Sequence, residues 1–240
     1  MESLNTNELI KSFLEEGIAF VHSYLDQNNL VGIERLKVFE AVRSSIDTTY
    51  IVDHTLDRMR EIYEASISEA LAIADGDEAL IEHANVLSYN LSANLADCWD
   101  DAVEPRTIEH FQAGIVAANR CLELRKKLKK PPAAMAMAFF TLGVHEYSLQ
   151  HYADAEKAWS QKLEYENLQF QAPSEAESDL NVLLSHALIG LARCSIGVEN
   201  VDVYNEGIRR LEGARTSNNQ HEVDLFISEL VLLRERHGGF

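Results

Sequence analysis

Nine histidines in an acidic chain are the first place to look for chemistry. Among those that stand beside a carboxylate, three pairs draw attention: Glu82-His83, Glu109-His110 and His145-Glu146. An imidazole and a carboxylate can share a metal ion or pass a proton. Adjacent residues on a helix, however, point about 100° apart and do not close on one ion. None of the pairs extends to His-Glu-x-x-His, the spacing that sets two imidazoles on one helical face. Asp97, Asp100 and Asp101 cluster at a predicted helix end, but the spacing and glycine of a calcium loop are missing, so a solvated acidic loop is expected. Cys98, Cys121 and Cys194 lie in apolar helical contexts with no Cys-x-x-Cys and read as small core residues. No glycine-rich phosphate loop, nucleophile elbow or paired-carboxylate signature occurs. These residues predict no catalytic residue, no metal and no cofactor, hence a non-enzymatic protein.

The densest run of charge is Arg125-Lys126-Lys127-Leu128-Lys129-Lys130, directly before Pro131-Pro132. Cations are favoured at a helix C-terminus by the helix dipole. The same groups, Arg125, Lys126, Lys127, Lys129 and Lys130, form a candidate docking patch for an acidic partner. They are exceptional in a chain with 21 basic and 39 acidic residues and a net charge of −18. That balance argues against a nucleic-acid partner, since no global positive field attracts phosphates. No apolar run reaches about 18 residues, so no membrane span is expected. The first residues lack a basic segment leading into an apolar one, so no secretory signal is read. With three cysteines in 240 residues, a reducing, cytoplasmic setting is expected.

The elements that must position these groups are helices. Apolar residues recur at three-four spacing over 9–25, 33–46, 55–74, 77–99, 106–129, 133–149, 152–169, 175–196, 202–214 and 220–236, about ten helices. Residues 47–54 carry a β-branched patch and are ambiguous between helix and link. Asn28-Asn29 reads as a helix stop, and Asp75-Gly76-Asp77 as a turn followed by an N-cap. Pro105 and Pro131-Pro132 precede helix starts, and Ser174-x-x-Glu177 after Pro173 is a capping box. All four prolines fall at boundaries, as they must if the interiors are helical.

One stretch carries a more specific pattern. Residues 142–159 set Leu142-Gly143 ahead of Leu149, Tyr152, Ala155, Ala158 and Trp159. The second half recurs as Phe111-x-x-Gly114-x-x-x-Ala118, as Tyr204-x-x-Gly207-x-x-x-Leu211 and more weakly as Tyr63-x-x-Ser66-x-x-x-Ala70. Small residues at such positions let antiparallel helices approach closely, and the aromatic residues fill the volume beside them. The pattern resembles the tetratricopeptide repeat, most clearly over residues 135–167. The copies start at residues 63, 111, 152 and 204, wider than the family period of about 34 residues, so loop insertions are expected. The resemblance implies an all-α, right-handed superhelix of antiparallel helix pairs in a single domain, residues 1–240. Within it, 1–54 would be N-terminal helices, 55–214 helix pairs and 219–240 an apolar capping helix.

In that family the first helix of each pair lines a concave groove that binds peptides or partner helices. The resemblance places Met137, Phe140, Val144, Tyr147, Leu184, Ala187 and Leu191 in this groove, with Asn90 and Asn94 from an earlier pair. It implies an adaptor or scaffold that binds a protein or peptide, with Phe140→Glu abolishing binding while leaving the fold intact. Two alternatives stand beside it. One is a ligand- or peptide-sensing regulator with an all-α pocket. The other is a protein that self-associates, as a homodimer, through residues 220–236, whose apolar residues cover more than one face; packing of that helix into the groove, or under the N-terminal helix, stays open beside it.

Overall fold

A computed structural model describes residues 6–48, 55–99, 105–170 and 179–240. These residues are all-α, with eleven helices and no strand among them. The helices are α1 (Thr6–Glu16), α2 (Ile18–Gln27), α3 (Ile33–Thr48), α4 (Thr55–Ile73), α5 (Glu78–Leu95), α6 (Ile108–Lys127), α7 (Pro132–Ser148), α8 (Tyr152–Asn167), α9 (Leu180–Ser195), α10 (Val201–Gly213) and α11 (Gln220–His237). The chain divides into two compact units within α5, one running to Leu91 and the other taking up at Ser92 and holding every helix from α6 onward. Residues 49–54 of the ambiguous patch, Asp100, Asp101 and the capping box at Ser174 and Glu177 lie outside the described residues.

In the first unit the single helix expected over 9–25 is two helices. Gly17 separates them at φ +79°, a left-handed conformation in which a side chain is strained. The break is held from outside the segment. Glu61 accepts the Ile18 amide at 3.1 Å, and Arg58, paired to Glu61 at 2.9 Å, donates to the Leu14 carbonyl at 3.2 Å. Phe13, Val21, Leu25, Phe39, Val42 and Ile62 are fully buried beneath these contacts. The stop at Asn28-Asn29 is in place, with Asn29 at φ +54°, and Asp77 caps α5 by accepting the Ala79 amide at 2.8 Å.

In the second unit each helix from α6 to α10 packs on its neighbour in the chain, the arrangement expected of successive antiparallel pairs. Local chemistry sets the starts. Thr107 and His110 form a reciprocal capping box at α6, and the amides of Asn181 and Val182 are accepted by Asp179 at α9. Pro131 and Pro132 open α7, where a missing amide hydrogen costs nothing. The crossings are made by glycine. A Cβ built on Gly114 would collide with the His145 ring, one on Gly143 with the Trp159 indole and one on Gly207 with Ala187. Trp159 is fully buried against this gap and donates its indole N–H to the Phe140 carbonyl at 3.3 Å.

A methyl group at such a crossing must push apart a close-packed pair, which costs about 1–3 kcal/mol. Gly143→Ala and Gly114→Ala are each expected to lower the unfolding free energy by that much, and with it the denaturant midpoint, read by tryptophan fluorescence. An unchanged midpoint for Gly143→Ala would show that α7 and α8 do not cross this closely.

Candidate functional site

The expected groove residues are brought together, but not as an open surface. Phe140, Val144, Tyr147, Leu184, Ala187 and Leu191 are buried in one cluster that also contains Leu230 and Leu233 of α11. The C-terminal helix packs against α7 and α9, the two helices that would line the groove, and against α10. Of the occupants left open by the sequence, the chain's own last helix is the one packed against these residues. Phe140 is 9% exposed and lies 6.3 Å from the Trp99 ring. A carboxylate there would damage the fold, so Phe140→Glu does not leave the fold intact as expected and cannot separate binding from folding. Met137, 47% exposed, and Asn94 remain accessible, while Asn90 is half-buried in the first unit.

The apolar covering expected over more than one face of α11 is likewise narrower. Val223, Leu230 and Leu233 are buried, Phe226 and Ile227 are half-buried, and Leu225 and Val231 point outward. The basic patch is smaller than its sequence. Arg125 is buried and donates to the Ala134 carbonyl, tying the end of α6 to the first turn of α7. Lys126, Lys127 and Lys129 are exposed, and Lys130 is half-buried.

Three histidine–carboxylate neighbours in sequence go separate ways in space. His110 caps α6. His83 Nε2 faces Glu40 Oε1 at 3.2 Å in the first unit, while Glu82 accepts from Asn85. His145 is fully buried, and burial lowers its pKa to about 4, so it is neutral near pH 7. Its Nε2 lies 2.9 Å from the Ser92 carbonyl, an acceptor only, which assigns the proton to Nε2. Glu146 instead meets His151 at 2.9 Å. Among the described residues no group of three His, Cys, Asp or Glu side chains is disposed to hold a metal ion. The three thiols are free and buried, and burial pushes those of Cys98 and Cys194 upward.

Two polar clusters of the second unit have no counterpart in the sequence reading. In the first, Lys162 on α8 donates to Glu166, to the Asn181 carbonyl at 3.2 Å and to Ser185 Oγ at 2.8 Å, and Ser185 donates on to Glu166. All three side chains are buried. The ammonium thus has all three hydrogens placed. Burial pushes Lys162 down and Glu166 up against their mutual attraction. Glu229 of α11 is also buried, and its Oε2 makes no hydrogen bond. Burial raises its pKa to about 7, with the charge of Lys162 opposing, and Glu229 in turn helps raise the Cys98 thiol. A signal was present: Lys162 and Glu166 follow Ala155, Ala158 and Trp159 at three-four spacing and so share their buried face.

The second cluster gathers on Asp97, one of the acids expected in a solvated loop. It is instead part-buried, accepting Arg236 at 2.7 Å, with His237 Nε2 at 2.9 Å and Arg106 at 3.8 Å. Burial pushes its pKa up, but His237 and Arg236 outweigh burial and hold it below the usual carboxylate range. Tyr152 donates to the His237 carbonyl at 2.8 Å, and Arg234 lies over the Tyr204 and Phe240 rings at 5.1 and 4.9 Å. These contacts fix the last turn of α11. The 139- and 140-residue separations from Asp97 to Arg236 and His237 leave no local sequence trace.

No family model, curated protein or solved structure matches the chain.

Glu229 sets a pH dependence whose sign follows from its raised pKa. The folded chain holds a proton there that the unfolded chain releases above its ordinary value near 4.5. The associated stability is full below that value and is lost as pH rises through about 7. Glu229→Gln removes the buried charge, so its unfolding free energy, from denaturant titrations, is expected to gain on the parent from pH 5 to pH 8 by on the order of 2–3 kcal/mol. A constant offset across that range would mean that Glu229 does not ionise inside the fold.

Proposed function

We propose that this chain is a non-enzymatic adaptor or scaffold, a tetratricopeptide-like helical array that binds a protein or peptide. One observation carries the reading. The face that the repeat pattern assigns to binding holds an amphipathic helix here, the chain's own α11, packed on α7 and α9. Helix-in-groove recognition uses this chemistry, with apolar anchors at helical spacing and polar groups fixing register. The inaccessibility of the polar groups also supports the non-enzymatic reading, since Ser185 and Lys162 form a close pair but are buried and committed to Glu166 and the Asn181 carbonyl. Buried free thiols suit a reducing, cytoplasmic setting. A second reading, self-association through α11, draws on Leu225 and Val231, which are 43% and 36% exposed on its outer side.

Capture of partners from native lysate on the immobilised full chain tests the first reading. Met137→Glu changes an exposed residue of α7 and is expected to lower capture of the specific partner at least tenfold while leaving the melting curve unchanged. Equal capture would remove this face from the binding surface. Sedimentation over a hundredfold concentration range tests the second reading, and a strict monomer would eliminate it.

A further inference from the structure

The way α11 is held differs from the way a core helix is held. Its inner face seats Val223, Leu230 and Leu233, but at the centre of that face stands Glu229, buried, with one oxygen making no hydrogen bond. Lys162, the cation nearest in effect, has its three hydrogens directed to Glu166, Asn181 and Ser185. The central contact of the resident helix is therefore attraction without a bond. A buried carboxylate in this condition opposes docking. The remaining hold lies at the last turn, in the Asp97 contacts with Arg236 and His237 and the Tyr152 bond to the His237 carbonyl. Arg236 is exposed, so its ion pair is open to water and salt. At the other end, Arg215 pairs with Asp224 at 2.7 Å on the surface. The helix thus has apolar anchors, a poorly satisfied middle and an ionic clasp.

We propose that the α7–α9 face is a receptor for a partner's amphipathic helix of α11's chemistry, and that α11 is a resident placeholder released when the Asp97 clasp opens. The occupant has apolar groups at the positions of Val223, Leu230 and Leu233, a polar group facing Lys162 and basic groups in its last turn meeting Asp97. A polar group beside Lys162 and charge complementarity at Asp97 select it over a purely apolar helix. An uncharged hydrogen-bonding side chain at the position of Glu229 fits better than the resident's carboxylate, because it enters without desolvating a charge. The resident and the partner then compete for one site, and the apparent affinity for the partner is set by how often the resident is absent. This rests on the reading of the chain as a binding array. Its test uses no natural partner, so the two can fail separately.

The probe is a fluorescein-labelled peptide of residues 219–240, titrated against the full chain and against full-length Arg236→Ala, with binding read by anisotropy. Hydrogen exchange over 220–237 is followed in parallel. Arg236→Ala, which loosens the resident's side of the clasp and leaves Asp97 for the peptide's own Arg236, is expected to expose the α11 amides while the α7 and α9 amides stay protected, and to bind the peptide at least tenfold more tightly than the parent. The peptide carrying Glu229→Gln is expected to bind several-fold tighter again, and one carrying Leu230→Asp and Leu233→Asp not to bind. Should Arg236→Ala alone leave α11 docked, Arg236→Ala combined with His237→Ala removes both α11 groups that Asp97 holds. The proposal is overturned if α11 amides exchange only with global unfolding in the loosened variant, or if the peptide fails to bind a variant whose α11 amides are exposed. It is overturned equally if the doubly charged peptide binds as well as the parent sequence. Dimers of the loosened variant that excess peptide does not dissociate would assign the face to a second copy and overturn the partner form of the proposal.

Discussion

The second unit depends on how closely its helices approach one another. Gly143 leaves room for the Trp159 indole, Gly114 for the His145 ring and Gly207 for Ala187. Each contact is possible only where a Cβ is absent, because interiors are packed with few voids and yield little. Close approach at α7–α8 lets Trp159 reach the Phe140 carbonyl and sets Tyr147 within ring contact of both Trp159 and Tyr152. At the α6–α7 crossing, the His145 ring seated against Gly114 lies at hydrogen-bonding distance from the Ser92 carbonyl. The array from α6 to α10 is in this sense built outward from three missing methyl groups.

The burial of polar groups follows from that packing. With α8 and α9 drawn together, Lys162, Glu166 and Ser185 cannot reach water and satisfy one another. Such a network is costly to break and contributes little to net stability, since its charges were better solvated in the unfolded chain. Its effect is on register: only one sliding position of α8 on α9 gives Lys162 its three acceptors. Glu229 joins the same interior from α11 without gaining a hydrogen bond. The docking of the last helix is therefore a balance between apolar burial and an awkward carboxylate, whereas the buried carboxylate of α8, Glu166, is hydrogen-bonded by Lys162 and Ser185. That difference is the physical basis for treating α11 as an occupant of the array and the pairs as its frame.

Much of this was legible in the residues alone. Scarce glycine and proline, prolines at boundaries and three-four spacing determined an all-α chain and most helix limits, because these depend on sterics and hydrogen bonds within a few residues. The small residues at 114, 143 and 207 were legible as crossings for the same reason: a position lacking a side chain in a helix pattern has few other uses. The break at Gly17 was not, since its apolar stripe runs on unbroken and the contacts that hold the break come from Arg58 and Glu61, more than forty residues away.

What tertiary structure alone decided is which apolar surface meets which. Periodicity shows that Phe140, Val144, Leu184 and Leu191 face away from water in some fashion, but an open groove and a covered core have the same one-dimensional pattern. The choice was made by α11 returning to α7 and α9, with Asp97 meeting Arg236 and His237 across some 140 residues. Nothing in the spacing of one helix encodes the position of another that far along the chain. Apolar burial is non-directional and is satisfied by any surface of the right size, so the sequence determined the helices and their contact faces, and the three-dimensional packing determined their partners.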